Sequence, residues 1–223
     1  MSEEVARTER ERHLARRLEG FGDVVFGFSI AQLALQLDLP KTPAELYGRP
    51  IKYVLYFATF ALIALLWLAY HRALTGTYRP TRTDLVVTFG YLAFVGLVPY
   101  AMYANVHFAG KLDGAGIGLA TYLTCAVGTA ATLSTISFRN AARAREAADV
   151  SSLQRQWRGA VATGYVGGVM LVALVVDLAL GVTAAAVVTL LAAGTRLVVR
   201  RVPVPTTWLA GTAGGTPVPR IVS

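Results

Sequence analysis

The sequence predicts an all-α integral membrane protein with six transmembrane helices. Of its 223 residues, 55% are hydrophobic and only 15% are charged, a balance that soluble domains do not reach. Apolar runs of membrane length recur along it, separated by short polar segments. The runs are rich in Leu, Val, Ala and Gly and lack the dyad alternation of a transmembrane barrel. A helix of about 20 residues covers roughly 30 Å, the thickness of a bilayer core.

The chain divides into a polar N-terminal segment over 1–19, a membrane domain over 20–199 and a tail over 200–223. Residues 1–19 hold five Arg and five Glu without an apolar core, which excludes a cleavable signal peptide. The first span covers Gly20–Leu39 and stops at Pro40 and Pro43, which cannot donate a helical hydrogen bond. It carries Asp23, Ser29, Gln32, Gln36 and Asp38, polar groups that a mere anchor would not keep at membrane depth. The second span covers Ile51–Tyr70 and leads into Trp67-Leu-Ala-Tyr-His71. The third, Asp84–Asn105, opens on Thr81-Arg-Thr-Asp84, an N-terminal capping box. The fourth covers Gly114–Phe138. The Ala- and Arg-rich stretch 139–158 then either prolongs that helix or lies along lipid headgroups, with Trp157 at the interface. The fifth and sixth spans are Gly159–Leu180 and Val182–Val199. The tail from Pro203 is rich in Pro, Gly and Thr and is expected to be without structure.

Lys and Arg number seventeen in the alternate connecting segments that begin with the N-terminus, against four in the others. The positive-inside rule then puts both termini in the cytoplasm, as an even number of spans requires. The same placement explains the net charge of +8 by orientation and headgroup contact rather than by nucleic acid. A single cysteine, Cys125, excludes an intramolecular disulfide and a cysteine-based metal site. His13 and His107 are isolated, and no metal spacing exists. No nucleophile–base pair supports an enzyme. Gly114-x-x-x-Gly118 and Gly164-x-x-x-Gly168 read as close-packing motifs. Asp177 reads as an interfacial residue at the outer end of the fifth span.

In this topology Asp23, Trp67, His71, Asp84 and Thr88 share one layer near the cytoplasmic face, with Arg17 just below. The layer reads as a structural latch whose members satisfy one another where water cannot; alternatively His71 titrates as a sensor.

The residues that follow one another here resemble a known family. Arg17-Leu-Glu-Gly-Phe21-Gly22-Asp23 is similar to the Arg-x-x-x-Phe-Ser-Asp signature of the transmembrane protein 175 family, potassium-selective channels of lysosomes and prokaryotes. Trp67-x-x-x-His71 at the end of the second span and Leu97-Val-Pro99-Tyr100 in the third also match. The resemblance implies a homotetramer in a prokaryotic cell membrane, bounded by lipid, with the first helix of each copy lining a central pore. Its permeant ion is potassium, no cofactor is involved, and no carbonyl filter is present. It places Phe28, Ala31 and Leu35 at the pore constrictions, and Arg17, Phe21, Asp23, Trp67, His71 and Thr88 in the polar cluster. This chain departs at Gly22, where the family has Ser, and at Phe28, where Ile or Leu is usual. It departs again at Ala31, where Thr is common, and at Thr88, where relatives often carry Asn.

The bare helix gives a second face. Ser29, Gln32 and Gln36 form a polar stripe centred about 100° from Phe28–Ala31–Leu35, with Gln32 only about 40° from Phe28. Gln32 either borders the pore, supplying the polar layer that Ala31 lacks, or hydrogen-bonds between helices. A passive cation channel is the leading function; a secondary transporter or proton-permeable protein using intramembrane Asp, His and Gln is the alternative.

Overall fold

The computed structural model describes residues 3–37, 50–75, 77–108, 115–181 and 202–210. The described residues form five long helices, α1 (Glu3–Leu35), α2 (Pro50–Leu74), α3 (Arg82–Phe108), α4 (Ala115–Glu146) and α5 (Val150–Leu180), and one short one, α6 (Thr206–Ala210). All five long helices contain a stretch long and apolar enough to cross a bilayer. Five of the six expected spans are thus found as helices, and the sixth, over 182–199, lies outside the described residues.

Helix ends differ from expectation where polar residues can still be helical. The first helix does not start at Gly20 but runs back through the charged segment to Glu3. The fourth continues to Glu146, and the fifth starts at Val150, so the stretch 139–158 prolongs the fourth helix, one of the two expected readings, and then turns into the fifth. Ala148 adopts φ 54°, and the amides of Ala148 and Asp149 donate to the Arg145 and Ala144 carbonyls at 3.1 and 2.9 Å. This is a Schellman termination, and Asp149 goes straight on to cap α5 by accepting from the Ser152 amide at 3.0 Å. The tail also differs: Val204 is buried, and Trp208 packs beside Trp157 and Phe138 on the α4–α5 hairpin.

α4 and α5 form the most extensive helix pair, α3 packs on α4, and α1 lies across α2 and α3. Small residues allow these approaches. A Cβ on Gly118 would sit 2.9 Å from the Asn105 Cα of α3, and one on Gly164 would meet the Ser134 hydroxyl at 3.0 Å. The core between α1, α2 and α3 is aromatic. Tyr70 and Tyr91 stack with centroids 5.7 Å apart, and Phe26 packs on both. Their hydroxyls are satisfied, Tyr70 donating to the Leu18 carbonyl and Tyr91 to the Leu66 carbonyl, each at 2.8 Å.

Candidate pore surface and polar ties

The orientation of α1 follows from which side chains it buries. Leu18, Gly22, Phe26, Ser29 and Leu33 are buried and lie on one face at helical spacing. Phe28 and Leu35, by contrast, are 64% and 85% exposed, and Ala31 is exposed between them. At roughly 100° per residue, this apolar stripe is centred about 150° from the buried face. The polar stripe is turned the other way. Ser29 is fully buried and donates to the Val25 carbonyl of its own helix at 2.8 Å. Gln36 faces a small cavity against Tyr56, Thr59 and Tyr103. Gln32 lies between, half-buried at the border of the two faces.

The expected single polar layer forms two groups. In the first, the Trp67 indole donates to the Asp23 carboxylate at 2.8 Å, and His71 Nε2 lies 3.3 Å from Asp23 and 3.5 Å from Glu19. This ties α1 to α2, one turn of α2 bringing Trp67 and His71 to the same side. In the second, Asp84 is 1% exposed and receives Arg139 Nε at 2.5 Å together with the Arg143 guanidinium. Its reciprocal bonds with Thr81 complete the capping box, the Thr81 amide donating at 3.3 Å. Thr88 is buried and bonded to the Tyr78 hydroxyl at 3.0 Å. Arg17 is exposed and stands outside both groups, and Phe21 packs edge-on against Phe89 at 5.7 Å. Glu19, Tyr78, Arg139 and Arg143 were not among the expected members. The arginines fall in a stretch whose count alone explained them, and only α3–α4 packing brings them to Asp84.

Residues 17–99 match the family model described as endosomal/lysosomal potassium channel TMEM175. The resemblance read from the motifs is therefore found independently. Over these residues the chain is similar to that family. Among curated proteins, none matches it.

Two solved TMEM175 structures share the fold. One is a variant of the potassium channel MtTMEM175 in complex with a Nanobody-MBP fusion protein. It aligns with TM-score 0.65 at 15% identity, over 82% of this chain and 89% of that one. The other is a lysosomal potassium-selective channel TMEM175 homolog from Chamaesiphon minutus, with TM-score 0.63 at 18% identity, over 84% of this chain and 98% of that one. These proteins are channels and not enzymes. The matched window begins at Arg17 and ends at Pro99, and so covers the C-terminal part of α1, all of α2 and most of α3. Within it, Gly22 replaces the signature Ser for a packing reason. A Cβ there would come within 2.7 Å of the Tyr70 hydroxyl and collide with its ring.

Proposed function

We propose that the chain is a passive potassium channel in which four copies surround a central axis, each turning the Phe28–Ala31–Leu35 stripe of α1 to the pore. One observation carries the reading. α1 packs one face on its own chain and leaves the opposite face, apolar and about two turns long from Phe28 to Leu35, uncovered. Four such stripes would close on one another, with Phe28 and Leu35 as two bulky rings and Ala31 as a wider layer between. Apolar constrictions of this kind gate by dewetting and need no carbonyl filter. Gln32, at the border of the stripe, would reach the ions from the side, while Ser29 donates to the Val25 carbonyl and would take no part.

The polar groups then serve to hold α1 at its angle, through Asp23 with Trp67 and His71. The excess of Lys and Arg in alternate segments supports a cell-membrane channel with both termini cytoplasmic, in contact with lipid along α5.

Purified full-length protein in planar bilayers tests the proposal. Discrete potassium currents are expected. Phe28→Ala should raise the unitary current severalfold, and Gln32→Ala should alter the preference for potassium over sodium. A Phe28→Ala current equal to wild type would remove the stripe from the pore. An unchanged ion preference in Gln32→Ala would remove Gln32 alone.

A further inference from the structure

Asp177, near the C-terminal end of α5, has a carboxylate that the pore does not use. The residue is 5% exposed, and neither of its oxygens has a hydrogen-bond partner among the described residues. This contrasts with Asp84, which is equally buried but held by two arginines. A carboxylate buried alone loses its hydration without compensation, so it takes up a proton unless a positive partner meets it.

Asp177 lines a groove of about 610 Å³ between α3, α4 and α5, whose other walls include Phe94, Leu97, Ile117, Thr121 and Thr124. That volume is in the range of small-molecule sites. The lining decides which cation fits. Thr121 and Thr124 already donate their hydroxyl protons to the Ile117 and Ala120 carbonyls at 2.8 Å, leaving only hydroxyl lone pairs on that wall of the groove. A bare metal ion, which needs its hydration shell replaced by several oxygens, would be poorly held. A cation carrying its own apolar groups would be held well, because most of the wall is hydrocarbon and one part is aromatic. Phe94 is fixed there by packing into the notch over Gly128, where a Cβ would meet its ring.

The geometry points to a binding site for an organic ammonium ion in this groove, with Asp177 as its counter-charge and the apolar walls around its substituents. No residue of α1 contributes, so the site stands apart from the proposed pore.

The test uses full-length protein in lipid nanodiscs and two probes of the same shape, benzyltrimethylammonium and its uncharged isostere neopentylbenzene, titrated by calorimetry. The cation is expected to bind wild type and to lose roughly tenfold or more in affinity in Asp177→Asn, while the neutral probe distinguishes the two proteins little. Leu97→Trp, which narrows the groove and keeps the carboxylate, should weaken binding of both probes. Absence of cation binding to wild type overturns the proposal, and so does equal affinity in wild type and Asp177→Asn. Should Asp177→Asn fail to fold, Leu97→Trp decides, and undiminished cation binding in it overturns the site. Binding lost in Phe28→Ala but kept in both groove variants would put the probe in the pore and equally overturn it.

Discussion

Gly22 and Tyr70 form one packing unit. The family signature carries Ser where this chain has Gly22, a departure visible in the sequence as a missing hydroxyl. Its cause is not visible there, because Tyr70 is forty-eight positions away and reads as one more aromatic at the end of a span. In the folded chain the Tyr70 ring occupies the space of a side chain at position 22 and sends its hydroxyl to the Leu18 carbonyl. Restoring the signature by Gly22→Ser should therefore destabilise, by about 1–3 kcal/mol for an overpacked site. Adding Tyr70→Leu to Gly22→Ser should recover part of that loss. Thermal unfolding in detergent measures both, and an unchanged midpoint in Gly22→Ser would mean that Tyr70 swings aside freely.

At the scale of elements, the α4–α5 hairpin is the least legible part of the chain. Residues 139–158 contain no Pro and no Gly until Gly159, so the usual punctuation of a turn is missing. The turn is made instead by Ala148 in a left-handed conformation and by Asp149, which ends one helix and caps the next. Hydrogen bonds from Ser152, and then from Ser151, hold the Asp149 carboxyl at about 2, below the ordinary carboxylate range. A group whose folded value is depressed stabilises the fold above its unfolded value and loses that contribution as the pH falls through the folded one. The first turn of α5 should thus be protected at pH near 5 and open progressively between roughly pH 4 and 2. Amide exchange at Ser152 and Leu153, corrected for intrinsic rates, reads this directly. In Asp149→Asn, which still caps but does not titrate, the pH dependence should vanish; if it persists unchanged, the cap is not its source.

Across the whole molecule, polar ties are unequal, and burial ranks them. The C-terminal carbonyls of α2, at Arg72 and Ala73, accept from Gln156 of α5 and Asn140 of α4 at 3.2 and 2.5 Å, so orphan helix-end groups are satisfied by distant helices. Asp84 anchors α3 to α4 from a buried position, whereas the Asp23 side chain is 51% exposed. Asp84→Ala would leave Arg139 and Arg143 without their partner and should cost about 3–5 kcal/mol. Asp23→Ala should cost no more than about 1 kcal/mol, as for other solvated pairs. Denaturant unfolding of the two variants side by side checks the order, and a larger loss in Asp23→Ala would reverse it. The sequence pointed to Asp23, because that residue sits in the recognisable signature. Asp84 was legible as a capping residue and as a member of the polar layer, but not as the partner of two arginines, which come from a different helix.

The primary sequence was enough for the class, the five described long helices and the resemblance. Long apolar runs have no alternative to helix in lipid, where every backbone group must be satisfied internally, and the motifs between Arg17 and Pro99 are local in the chain. Tertiary structure alone decided which way α1 is turned. Hydropathy orients a helix in water because one face is excluded from solvent, but in a bilayer the lipid-facing, pore-facing and protein-facing sides can all be apolar. Two stripes on α1 therefore looked equally fit to face an axis. Packing against Tyr70 and Tyr91 buried Ser29, left Phe28, Ala31 and Leu35 uncovered, and set Gln32 at the edge between them.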